Sequence, residues 1–176
     1  MSKTQIISTT QIDTTNPTAI KSQLANFIQK YAAATIEYSY EICTDGTVYT
    51  LCGNEIAVDP SIIGIEKLVG AIGIHNHPPK DDGTANDSFS QNDLEFCCAY
   101  KQGKQYMVSV DRRNAFEFTK FYTEYEIAAV WKEARMLLWN KSKNERRTNW
   151  KNYNEQEEIL KILNHNLKGF AFYENF

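Results

Sequence analysis

From Thr35 to Cys43 the chain alternates strictly. Ile36, Tyr38, Tyr40 and Ile42 fall on one side, and Glu37, Ser39 and Glu41 fall on the other. A period of two is the pattern of a β-strand with two unlike faces, and no helix fits it. Thr44-Asp45-Gly46-Thr47 follows at once, with the Asp-Gly pair of a tight hairpin, and Val48 to Cys52 supplies the returning strand. The chain is therefore committed early to an antiparallel ribbon that needs something to cover it. Ile20, Leu24, Phe27, Ile28 and Tyr31 recur just upstream at helical spacing, behind Asn16 as an N-cap and Pro17 at the first helical position. A helix over about 17–33 is the expected cover.

Further along, Leu68 to His77 reads as a buried strand interrupted by Gly70 and Gly73. Ser90-Gln91-Asn92-Asp93 opens a helix that runs through Cys97 and Cys98, and segments 105–110 and 114–121 make another strand pair. Beyond Tyr122 the pattern turns helical, in 125–141 and 155–167, with a charged stretch between. Residues 1–16 are rich in Thr and Ser and read as a flexible segment, loose or weakly extended. The expected organisation is that segment, an α+β domain over 17–121 built on a mixed sheet flanked by helices, and a helical extension over 122–176. At 176 residues such a chain buries a real core.

A net charge of −3 disfavours a general nucleic-acid binder. Lys141, Lys143, Arg146, Arg147 and Lys151, interrupted by Trp150, are expected to be a solvated face, with nucleic acid as the minority reading. No apolar run approaches the length of a membrane span, and the first residues lack the apolar core of a secretory signal, so a cytoplasmic location is expected. The four cysteines, Cys43, Cys52, Cys97 and Cys98, contain no CxxC pair and are read as free thiols. Trp131, Trp139 and Trp150 are read as packing for the C-terminal helices, and His165 as a surface histidine.

His75 and His77, two of the three histidines, stand one residue apart at a strand end. On an extended segment both imidazoles point the same way, as a single metal ion requires. A catalytic zinc commonly takes three protein ligands and keeps one position open, and Asp93 at a helix start is placed to complete the set. A lone His-x-His is more often a solvated turn. Pro78 after it, and a serine three residues before the aspartate in a strand–loop–helix context, favour the metal.

His75-Asn76-His77-Pro78 followed by Ser90-Gln91-Asn92-Asp93 resembles the H-x-H-P…S-x-x-D signature of the JAMM (MPN-type, JAB domain) zinc metalloproteases. The His-Asn-His-Pro form is similar to that of RadC-type bacterial members, and Phe89-Ser90 to a branch found in phage proteins and toxin-associated domains. The resemblance covers about residues 17–120. It implies a cytidine-deaminase-like α+β core, a zinc ion held by His75, His77 and Asp93, Ser90 steadying the oxyanion, and an upstream glutamate as general base. Glu37, 38 residues before His75, matches that glutamate; Glu41 on the same face is its competitor and Glu55 a distant third. The implied reaction is hydrolysis of a peptide or isopeptide bond in a protein or peptide, a ubiquitin-like conjugate among the candidates. The rivals are a non-catalytic MPN-type scaffold and a RadC-like protein acting near DNA. The sequence departs from the family in the long acidic stretch of residues 80–87, where a change of substrate preference is expected.

Overall fold

The structure is a computed structural model that describes residues 3–79, 88–145 (backbone only over 141–145) and 154–176. The expected stretch at 80–87, Trp150 and the basic side chains from Lys141 to Lys151 lie outside the described residues. Seven strands form one mixed sheet in the order β1-β3-β2-β4-β5-β6-β7, flanked by helices. In chain order the elements are β1 (Gln5–Gln11), α1 (Pro17–Tyr31), β2 (Tyr38–Ile42), β3 (Thr47–Cys52), a 3₁₀ turn (Pro60–Ile63) and α2 (Ile65–Leu68). Then come β4 (Ile72–Asn76), α3 (Gln91–Ala99), β5 (Lys104–Val108), β6 (Arg113–Phe118), α4 (Glu124–Glu145), α5 (Glu155–Asn166) and β7 (Phe170–Glu174). The α+β architecture expected from the sequence is the one observed.

The hairpin forms where the alternation and Asp45-Gly46 put it. Gly46 has φ +86°, a left-handed conformation that an L side chain resists. Strand β4 pairs antiparallel with β2 and parallel with β5, and α3 is carried in the crossover between β4 and β5. Those pairings divide the protein into two hydrophobic layers. On one side α1 covers Tyr40, Ile42, Val48, Ile74 and Val108 with Leu24 and Phe27. On the other, α3, α4 and α5 enclose Phe89, Met107, Phe116 and Phe118.

Residues 5–11, expected to be loose or weakly extended, are extended: they form an edge strand antiparallel to β3, exposed along its whole length. An edge strand is held by backbone ladder bonds and needs no apolar stripe, so its polar composition hid it. The C-terminal region is not only helical, since β7 pairs antiparallel with β6. The helices of this region pack into the core of the domain before them, where Ile127, Trp131, Leu138, Ile159, Leu160 and Leu163 share one cluster with Leu94, Met107 and Phe116. Trp131 packs as expected, whereas Trp139 is 60% exposed. His165 is on the surface, and all four cysteines are free. No helix among the described residues is long and apolar enough to cross a membrane.

Candidate metal centre

β4 carries His75 out of the sheet's middle on the face opposite Ile74, and His77 follows just past the strand end, its backbone N–H still donating to Val108 O at 2.9 Å. The His75 ring stands edge-on to Phe89, centroids 5.7 Å apart. His75 Nε2 lies 3.0 Å from His77 Nε2 and 3.7 Å from Asp93 Oδ1. One ligand atom from each of the three residues falls within 4.8 Å of the others. Nitrogen or oxygen atoms about 2.0–2.1 Å from a tetrahedral ion stand about 3.3–3.4 Å apart, so the observed 3.0 and 3.7 Å bracket what one ion needs. This buried His75, His77, Asp93 group can hold a metal ion. Burial lowers the pKa of His75, opposed by the Asp93 carboxylate and by the nearby Gln105 side chain, a direction that favours the neutral ring a metal ligand needs.

Asp93 owes its aim to the start of α3. Ser90 is the N-cap, and Ser90 and Asp93 form a reciprocal capping box. Ser90 N–H and Ser90 Oγ both donate to Asp93 Oδ2, at 2.6 and 2.7 Å. With Oδ2 held twice, Oδ1 is the oxygen turned towards His75. In this geometry the Ser90 hydroxyl caps the helix and orients the Asp93 carboxylate.

A pocket of about 290 Å³ opens over these atoms, lined by Glu37, Ser39, Glu41, His75, His77, Ser90 and Asp93 together with Ile56, Val58 and Phe96. All five candidate site residues therefore meet in one place, while Glu55 is exposed and lies outside the lining. Glu37 sits just before β2, its backbone paired with residues 53 and 54 of the returning strand's end. Its Oε2 accepts the Val58 N–H at 3.0 Å. Burial, reinforced by the nearby Asp93 charge, pushes the Glu37 carboxyl up to about 7, against the pull of the Val58 hydrogen bond. Glu41 is pushed up to about 8 by burial, its hydrogen bond from Gln102 acting the other way. Glu37 and Glu41 are only 8% and 1% exposed, because α3 and the loop after β3 cover that face.

Asn76, between the two histidines, is a residue whose part the sequence did not reveal. It is fully buried, and its side chain reaches across to the strand before the hairpin. Asn76 Oδ1 accepts from Tyr38 N–H at 2.7 Å and its Nδ2 donates to Ile36 O at 3.0 Å. The amide stands in for a strand at the two residues flanking Glu37, and so fixes that carboxylate relative to the histidines. The clue lay in its register with β2, which only the sheet supplies.

No protein-family model matches the chain, and neither the curated proteins nor the solved structures contain a match.

Proposed function

We propose that the chain is a JAMM-like zinc hydrolase that cleaves a peptide or isopeptide bond with a water molecule. The observation that supports it most is a buried carboxylate, Glu37, lining the same pocket as His75, His77 and Asp93 without belonging to the ligand set. His75, His77 and Asp93 would hold the zinc, which when bound lowers the pKa of water towards neutrality and polarises a carbonyl oxygen.

The chain's own residues account for the proton traffic. Val58 N–H occupies Glu37 Oε2, which leaves Oε1 to take a proton from the attacking water. A carboxyl whose pKa is near 7 both accepts that proton and gives it up at neutral pH. The hydroxide adds to the carbonyl carbon, the C–N bond breaks, and the proton on Glu37 passes to the departing amine. Ser90 is the hydrogen-bond donor for the oxyanion. Its hydroxyl swings away from Asp93 Oδ2 to do so, and its backbone N–H, at 2.6 Å, keeps the carboxylate in place meanwhile.

The test is metal analysis of purified protein combined with hydrolysis of a peptide panel. About one zinc per chain is expected, lost in His75→Ala and His77→Ala. Glu37→Gln is expected to retain zinc while hydrolysis falls by about 10²–10⁴. A zinc-free protein that is indifferent to the histidine substitutions would overturn the reading. A Glu37→Gln variant as active as the parent would remove Glu37 as the base, and a zinc-loaded protein inert towards every substrate would point to the scaffold instead.

A further inference from the structure

Two side chains on the pocket wall have no part in the chemistry described above. Ser39 and Glu41 lie on β2, on the face that carries His75: Ser39 stands directly across the ladder from His75, and Glu41 from Gly73. Both line the pocket, and each is 1% exposed. A Cβ on Gly73 would collide with the side-chain amide of Gln105, its neighbour on β5, so the glycine makes the trough in which that amide lies. Gln105 Nε2 donates to Gln102 Oε1, and Gln102 Nε2 donates in turn to Glu41 Oε2 at 2.8 Å. One oxygen of Glu41 is thereby fixed, while Oε1 takes no hydrogen bond from any described residue. Ser39 Oγ is buried and meets no hydrogen-bond partner. Interior hydroxyls are nearly always paired, so one left open on the wall of a pocket marks a place for a polar group from outside.

Charge says which group. The lining holds three carboxyl groups, those of Glu37, Glu41 and Asp93, and no Lys or Arg among the described residues. A primary ammonium brings the missing positive charge, and with three N–H donors and no acceptor it satisfies an open carboxyl oxygen and an open hydroxyl together. We propose that Ser39 and Glu41 form a recognition subsite for a primary ammonium group on the substrate, which donates to Glu41 Oε1 and to Ser39 Oγ. Cross-strand partners have Cα atoms about 4.5–5.5 Å apart, so an ammonium at Ser39 lies about one residue from a bond held beside His75. Two sources share this chemistry, the free amino terminus of a peptide and a Lys side chain within one. The subsite's place beside a reacting bond rests on the hydrolase reading given above; its affinity for an ammonium does not.

Three peptides of one length serve as probes: trialanine amide with its amino terminus free, acetyl-Ala-Lys-Ala amide, and the uncharged acetyl-Ala-Met-Ala amide. Binding to the metal-free full chain is followed through the ¹⁵N–¹H shifts of β2 and β4, and hydrolysis is followed separately with zinc. At least one ammonium peptide should bind about 10–100-fold tighter than the uncharged one, and which of them does so names the source. Glu41→Gln should erase that preference and leave the affinity for the uncharged peptide as it was. Ser39→Ala should reduce the preference at no cost in stability, since its hydroxyl bonds to nothing in the pocket. That variant carries the test if Glu41→Gln does not fold. No binding, equal affinity for all three peptides, or a preference that survives both substitutions would overturn the proposal and leave the open hydroxyl to a water molecule. A preference that depends on Glu41 in a chain that hydrolyses none of the peptides would uphold the subsite and count against the hydrolase reading alone.

Discussion

Glu37 and Glu41 issue from the same side of one short stretch of chain, and both carboxyl groups are driven into the protein by folding. Their pKa values rise from the ordinary 4.5 to about 7 and about 8, with burial as the largest cause in each. A carboxyl group whose folded pKa is raised keeps its proton longer in the native state than in the unfolded one. Its contribution to stability is therefore fully present below about pH 4.5 and is lost as pH rises towards 8. Metal-free protein should accordingly become easier to unfold in urea between pH 5 and pH 8. Glu41→Gln should flatten that slope and exceed the parent's stability at the upper end, by an amount on the order of a few kcal/mol. A parent and variant with parallel pH profiles would remove burial of Glu41 as the cause. The pairing of His75 and His77 was legible because spacing alone puts them on one side of an extended segment. Gln102, Gln105 and Asn76 were not, since each acts across the sheet and nothing local distinguishes a buried amide from a solvated one.

Helix α3 concentrates several tasks in its first turn. Ser90 satisfies the amide of Asp93, Asp93 returns the favour to Ser90, and the same carboxylate turns its other oxygen to His75. Ser90→Ala should cost about 1 kcal/mol of stability in the metal-free state through loss of the cap. It should also weaken zinc, because Asp93 Oδ2 keeps one hydrogen bond where it had two. Thermal unfolding with and without added zinc separates these effects: a metal-induced gain in melting temperature as large as the parent's would show that Asp93 needs no help from the hydroxyl. The cap itself could be read from Ser-x-x-Asp, whereas the division of labour between the two carboxylate oxygens could not. α1 and β2 stood out in the sequence by their period, β3 by the Asp45-Gly46 turn before it, and α3 by its Ser-x-x-Asp cap. β1 escaped notice because both its faces are wet, and β7 because five residues after a helix and a turn at Gly169, φ +72°, carry too little pattern.

For the whole molecule, the two layers are unequal, and the larger one depends on the last third of the chain. Phe89, Leu94, Met107 and Phe116 find their cover in α4 and α5, and β7 completes the sheet beside β6. A chain ended at residue 121 should therefore fail to fold, giving a poorly dispersed NMR spectrum and no cooperative melt. A truncated chain with native-like dispersion would restore the boundary expected from the sequence. The site itself sits on β4, the middle strand of seven, with three strands to either side. That strand has no partner nearby in sequence: β2 precedes it by a hairpin and two short turns, and β5 follows only after α3. His75 and His77 come from this late-joining strand, and Asp93 from the helix that opens the larger layer. An ion held by all three would act as a cross-link between the centre of the sheet and its cover. Its binding free energy would then be felt by the entire fold through mass action, and withdrawing it would loosen the molecule as a unit.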